Sequence, residues 1–395
     1  MSLSRSYSSP DSQVPWRVWL AVVALGLSSF VIVTTELAPI GLLSPLAAAF
    51  GQTEGDAGLL VTVYAWLAAA VALLSALFLG KQPPKRLLIT LMFILSLSSV
   101  IAAQASTFST LLGARMVGAV AHGAFWAMIG TVAVQLVPAH RVGLATSIIF
   151  GGVSVASVLG IPLANLLAHF DGFRTAFNVI AILSLLATFA LIWTLPALSC
   201  SGSVGLNALS GVVKNRIFRR IYLATACAVM AHFSAFTYIE PLLSTTLHIR
   251  LNFISLLLLV FGLAGVVGNI ISGKLIDRYL KSLVMLSLAL MALCVALIGT
   301  LPASASAWLV GILLFGWGVA VAIMFVGFQA WILREAQEMA LPASAIYVAI
   351  FNAAIGTGAL IGGRILSITS LQGLMIISAL AIAGSLLPII RISPK

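Results

Sequence analysis

Two carboxylates sit where a carboxylate is expensive. Glu36 lies within the apolar stretch SSFVIVTTELAP, from Ser28 to Pro39, and Glu240 lies within FTYIEP. Acidic side chains at membrane depth usually face a protein interior or a wet cavity and are functional by default. The two stretches align. Thr35-Glu36-Leu37-Ala38-Pro39 falls over Thr237-Tyr238-Ile239-Glu240-Pro241, with Thr and Pro in register and the Glu in different slots. This points to a duplicated membrane protein whose halves each offer an acid near an internal cavity. Glu36, three residues before its proline, is placed deeper and is read as a proton carrier in preference to a structural group. Glu240, next to Pro241, either shares that work or sits at the outer interface, capped by water.

Arg115 opens a helical face continued by Gly118, Ala119, His122, Gly123 and Trp126. One reading is a cavity wall with a fixed cation, a titratable imidazole and an aromatic platform. The other is packing, with Arg115 bonding backbone carbonyls of a neighbouring helix and the glycines allowing close approach. His122 is accordingly a proton-handling candidate or a packing residue. His232, Phe236 and Glu240 recur at spacings of four, which puts an imidazole, a ring and a carboxylate on one expected face. Tyr64, Trp66, Tyr347 and Asn352 are expected to meet a substrate, because the second and eleventh spans would flank the cavity; each could instead bond between helices. Gly151, Gly152, Gly160 and Pro162, in GGVSVASVLGIP, give the fifth span a small-residue face and a bend. No GxxxxGK[ST] loop occurs, no metal-ligand spacing and no nucleophile–base pair. Catalytic residues, metals and cofactors are therefore not expected. Cys200, Cys227 and Cys294 are odd in number and far apart, so no disulfide framework is expected.

The elements that must position these residues are membrane helices. Of 395 residues, 62% are hydrophobic and 7% charged. Spans are expected at about 17–41, 56–79, 87–105, 108–136, 143–168, 173–195, 217–240, 254–272, 283–301, 306–332, 342–366 and 371–390. All Lys and Arg residues except Arg174, Arg250 and the intramembrane Arg115 and Arg364 then fall on one side. That bias places both termini in the cytoplasm. The net charge of +11 reports these loops and not a nucleic-acid partner. Residues 1–15 read as a polar cytoplasmic tail and not a cleavable signal peptide. Residues 16–196 form one bundle, 197–215 a cytoplasmic linker, and 216–395 a second bundle. The halves match again at Gly80-Lys81 with Gly273-Lys274, and at Gly113–Gly118 with Gly311–Gly316. The expected fold is all-α, twelve transmembrane helices in two pseudo-symmetric six-helix bundles, with a site between them.

The run Gly273-Lys274-Leu275-Ile276-Asp277-Arg278 is similar to the cytoplasmic signature loop of the major facilitator superfamily. Gly151 through Pro162 resembles the antiporter motif of its drug:proton antiporter branch, and Arg115 with Gly118 resembles the fourth-span motif. TTELAPIGLL from Thr34, VYAW from Val63, AHGAFW from Ala121, LGIPL from Leu159 and AHFSAFTYIEP from Ala231 together resemble the sugar-exporting bacterial members. The resemblance covers nearly the whole chain. It implies a monomeric, proton-coupled antiporter of the bacterial inner membrane that exports sugars or sugar-like small molecules by alternating access. A multidrug/proton antiporter with a broad amphiphilic pocket is the alternative. It also implies that Gly273, Asp277 and Arg278 act at a cytoplasmic gate. Two departures stand out: Pro84 replaces the acid of the first signature loop, and Ala164-Asn165 replace small glycines in the fifth-span motif.

Overall fold

The computed structural model describes residues 14–138, 141–200, 205–336 and 339–390. Most of the expected tail, residues 1–13, lies outside the described residues, as do 201–204 of the linker and 391–395. In lipid every backbone polar group must be satisfied within the chain, and helices do this segment by segment. All the regular structure described is helical. In the first half these are α1 (Trp16–Gly41), α2 (Leu43–Phe50), α3 (Glu54–Ala57), α4 (Leu59–Phe78), α5 (Pro84–Ala103), α6 (Phe108–Leu136), α7 (Val142–Asp171) and α8 (Phe173–Thr194). A linker helix, α9 (Leu206–Lys214), follows. The second half holds α10 (Arg216–Phe236), α11 (Ile239–Pro241), α12 (Leu251–Gly299), α13 (Ala307–Ala336), α14 (Ala340–Leu366), α15 (Leu371–Gly384) and α16 (Leu386–Ile390).

Among the described residues, 11 helical segments are long and apolar enough to cross a membrane. One of them, α12, has 49 residues. At 1.5 Å per residue it would run roughly 74 Å, more than twice a hydrocarbon core of about 30 Å. Its contacts show that it crosses twice. Gly262 and Gly268 lie near residues whose partners ascend α13, at Gly318 beside Phe261 and Val319 beside Gly268. Further along, Val284 meets Gly327 and Cys294 meets Gly316, so the partners now descend α13. The reversal falls at Tyr279, whose φ −128° and ψ 30° are not helical. The loop expected between the eighth and ninth spans is thus helical up to a one-residue break. The total is twelve crossings, as the apolar runs require.

The halves repeat one another in their packing. α1 lies against α7 as α10 lies against α14, and α4 lies against α6 as the first arm of α12 lies against α13. The first half has an apolar core of its own, while the core of the second half runs on across the seam to Ile40, Val61 and Ile161 of the first. The halves meet along α4–α14 and along α7–α12. Close approach depends on small residues: a side chain on Gly152 would strike the backbone of Gly26, and one on Gly262 would strike Val158. Pro84, the departure in the first signature loop, opens α5 at a position where a missing N–H costs nothing. The linker is more ordered than a polar tether, because α9 buries Leu209 and Val212 against the second half.

Arg17, Lys81, Lys85, Arg86, Lys214, Lys274, Arg278 and Arg334 fall at helix ends on the side where α1 begins, the basic end. Glu54, Asp56, Glu240 and Arg250 fall at the opposite, acidic end. Single cysteines at Lys214 and Lys274 are therefore expected to react with a membrane-impermeant thiol reagent from one face only, and a cysteine at Arg250 from the other. Reaction of all three from one face would overturn this arrangement.

Candidate functional site

Pro39 sits inside α1. Its ring nitrogen carries no hydrogen, so the carbonyl four residues earlier, that of Thr35, loses its helical partner. Arg115 fills the gap. Its Nη1 donates to the Thr35 carbonyl at 2.6 Å, and its Nη2 donates to the Glu36 carbonyl at 3.3 Å. The guanidinium lies over the Tyr64 ring, Cζ 3.9 Å from the centroid, a placement that ring quadrupoles favour. The carbonyl bonds are those of the packing reading, and they do not exhaust the contacts of the side chain. The arginine is also part of a polar cluster.

That cluster is contributed by α1, α4 and α6. His122, two turns beyond Arg115 on the same face of α6, has Nε2 3.7 Å from Glu36 Oε2. Its ring stands edge-on to Tyr64, centroids 5.4 Å apart, and to Trp126, 6.3 Å apart. Glu36 is 9% exposed, Arg115 2%, and Tyr64 and His122 1% each. Glu36 Oε1, Tyr64 OH and Arg115 Nε have no hydrogen-bond partner among the described residues. Buried polar atoms are rarely left so, and a cluster of them marks a place where a solute or a proton can be received. The glycine motif of α7 serves this site from behind. Gly152 packs on Gly26 and Gly160 on Thr34, which holds α1 in place, whereas Gly151 meets nothing. Pro162 lies within α7.

The second half holds a different kind of cluster. His232 stacks on Phe236 and stands edge-on to Phe325 and Trp317. Trp317 Nε1 donates to His232 Nδ1 at 3.1 Å. An indole N–H can only donate, so Nδ1 is the unprotonated nitrogen, and a proton arriving there would have to break this bond. Tyr347 OH donates to the Phe325 carbonyl at 3.4 Å, and Asn352 Nδ2 donates to Val348 of its own helix, leaving Oδ1 unpaired. Trp317 was not singled out in sequence. A buried Trp needs an N–H partner, but nothing local says that the partner is His232.

The expected face of His232, Phe236 and Glu240 is interrupted. α10 ends at Phe236, and Tyr238, at φ −106° and ψ 19°, turns the chain before α11. Glu240 then reaches the first half, where its Oε2 accepts from the Ser44 N–H at 2.9 Å. Trp66 also bridges the halves, donating from Nε1 to Thr357 Oγ1 at 3.1 Å. Asn165, the other departure, accepts from Ser255 of α12 at 2.7 Å and donates to the Gly41 carbonyl at 2.8 Å. The signature loop lies at the basic end. There Asp277 is 3.4 Å from Arg334, in the same half, while Gly273 faces open space. Arg278 lies over the neighbouring Tyr279 ring. Among the described residues no group of His, Cys, Asp or Glu could hold a metal ion.

Two repeated bundles that close over buried polar groups are the architecture of a membrane transporter. The comparisons agree. The family model of the Major Facilitator Superfamily matches residues 18–334 and 221–395, and the chain belongs to that superfamily. Its fold is shared with the human organic anion transporter MFSD10 (TETRAN), with TM-score 0.68 and 17% identity over 96% of this chain and 99% of that one. A bacterial homologue of the human lysosomal transporter Spinster gives 0.71 and 14% over 96% of each chain. A variant of the nucleoside transporter NupG gives 0.74 and 16% over 94% of this chain and 99% of that one. The protein is therefore a multi-pass secondary transporter of a small molecule.

Arg115→Lys keeps the charge but loses the planar fork that meets two carbonyls. Losing one hydrogen bond from a charged donor costs about 1.5–3 kcal/mol, so transport is expected to fall roughly ten- to hundredfold. Pro39→Ala restores an amide that competes with Arg115 for the Thr35 carbonyl and is expected to act in the same direction. Initial rates in proteoliposomes, at matched protein incorporation, measure both. Wild-type rates for Arg115→Lys would mean that the side chain only packs.

Proposed function

We propose that this transporter is a proton-coupled antiporter that exports sugars or sugar-like small molecules from the cytoplasm by alternating access. The reading puts it in the bacterial inner membrane as a monomer, with the basic end and both termini in the cytoplasm. The observation that carries it is Glu36, an acid buried beside His122 on the helix whose carbonyls anchor Arg115. An acid so placed is costly to keep charged and easy to expose to either side as the bundles rock. One proton moving down a membrane potential supplies about 2.3 kcal/mol per 100 mV, enough to move a neutral solute uphill. Glu36 carries the proton in this scheme. His122 lies within reach to relay it, and His232, tied to Trp317, takes no direct part.

Polar and aromatic groups around Glu36 support this substrate class. Oxygens on Tyr64, Glu36 and Asn352 that are unpaired among the described residues suit hydroxyl groups, and Trp126, beside His122, offers an aromatic group against which a sugar ring can lie, whereas Phe236 is already stacked on His232 and Phe261. The motif resemblance to the bacterial sugar efflux transporter SotB supports the same class. The aromatic cluster of Phe233, Phe236, Phe261 and Phe325 favours a second reading, a multidrug/proton antiporter with a broad amphiphilic pocket.

Glu36→Gln fixes an uncharged, proton-like state at the same shape. It is expected to abolish uphill efflux driven by an imposed pH gradient while leaving exchange of labelled for unlabelled substrate, which needs no net proton movement. Proteoliposomes loaded in turn with candidate sugars and amphiphilic drugs, with and without the gradient, test carrier and substrate class together. Normal uphill transport by Glu36→Gln would remove the residue from the proton path.

A further inference from the structure

We infer that Glu240 is a positioning residue that latches the acidic end shut, by capping a helix of the opposite half. α2 begins close to α11 of the opposite half. Its first residues are Leu43, Ser44 and Pro45. A helix start leaves its first N–H groups without intrahelical partners. Leu42 occupies the capping position and has no side-chain acceptor to offer, where Ser, Thr, Asp or Asn would be favoured. Pro45 has no N–H to satisfy. The Leu46 amide already bonds the Leu42 carbonyl. That leaves the Ser44 amide among the groups needing an acceptor, and its acceptor is Glu240 Oε2, 196 positions away in the other half.

Glu240 is placed there by the break that ends α10. Tyr238 turns the chain and is itself fixed, its hydroxyl donating to the Ala359 carbonyl of α14 at 2.8 Å. The Ser244 hydroxyl donates to the Glu240 carbonyl at 3.0 Å. Glu240 is 0% exposed, and its Oε1 has no hydrogen-bond partner among the described residues. A negative end beside a helix N-terminus is favourable, but only while the two bundles touch. If the acidic end opens, water replaces the amide and α2 loses its acceptor. The surroundings are built for contact at this end. Gly55 lies against Gly363, and the Tyr238 hydroxyl lies against Gly58. Above them is a cleft of about 600 Å³ between the halves, lined by Ser44, Ala47 and Glu54 on one side and Thr245, Gly363 and Ser367 on the other. Glu240 thus contributes to which end of the transporter is closed. This role is separate from carrying the proton and does not depend on proton coupling.

The test compares three variants in the full-length chain, each with a cysteine reporter at Ala47 in the cleft. Glu240→Ala removes the acceptor. Glu240→Asp shortens the side chain by one methylene and withdraws it. Glu240→Gln keeps an acceptor oxygen at the same reach. The rate of modification by a membrane-impermeant thiol reagent, corrected for the parent chain, is expected to rise at least about threefold for Ala and Asp and to stay near wild type for Gln, as a population shift requires. Should the Ala variant fail to fold, the contrast between Asp and Gln decides. Unchanged labelling in Ala and Asp would overturn the inference. So would a Gln variant that opens as far as Asp, because the charge and not the cap would then matter. Retained pH-driven efflux in Glu240→Gln would separate this residue from the proton carrier.

Discussion

A proline carried through the membrane leaves one carbonyl without its amide, and much of the first half is arranged around how that carbonyl is satisfied. Lipid offers nothing to bond it. Arg115 is long enough to arrive from α6 and has donors to spare, so it meets Thr35 and the adjoining Glu36 carbonyl together. The cation then has to be accommodated where water is scarce. Tyr64 lies beneath it, and the Glu36 side chain is close in sequence to the carbonyls it grips. The acid, the imidazole and the arginine are neighbours because one backbone defect draws them together. The glycines of α7 matter for the same reason: they let a second helix brace α1 where its own hydrogen bonding is interrupted.

The two halves share their packing scheme but not their polar content. The first gathers an acid, an imidazole and an arginine; the corresponding region of the second gathers rings around an imidazole whose Nδ1 already accepts a bond. Duplication conserves how helices fit, while the chemistry diverges. The carboxylate of the second half has moved to the seam between halves, where its partner belongs to the other repeat. Trp66 with Thr357 and Asn165 with Ser255 join the halves along the two interfaces. These bonds are few and individually modest, which suits surfaces that must separate.

Much of this was open to reading in the chain. Apolar runs gave the spans, and basic residues sorted the ends. The spacing of Arg115, His122 and Trp126 on α6 gave a face that the structure brings to Glu36 and Tyr64. What escaped had tertiary causes. The turn at Tyr279 falls within the loop expected between the eighth and ninth spans, but its tightness is not legible there: Lys274 to Lys281 has no Gly or Pro and stays helical but for that one residue. The break after Phe236 is hidden in the sequence because spacing by fours assumes an unbroken helix and Pro241 marks the next obvious end. α9 reads as tether because it lies in the longest polar segment between spans; Leu209 and Val212 are buried once α10 and α14 are there to cover them. The freed carbonyl of Thr35 could have been found. Counting four residues back from Pro39 identifies it, although not the donor that answers it.

The self-contained core of the first half has a consequence for biogenesis. Domains fold as units during synthesis, the N-terminal one first. The core of the first half is drawn from residues that precede the linker, so its helices can assemble in the bilayer while the second half is still being translated. During that interval the start of α2 is an unfinished end. Its completing carboxylate arrives only when residue 240 has been inserted, so the seam between the halves cannot close before the second half has begun to enter the bilayer.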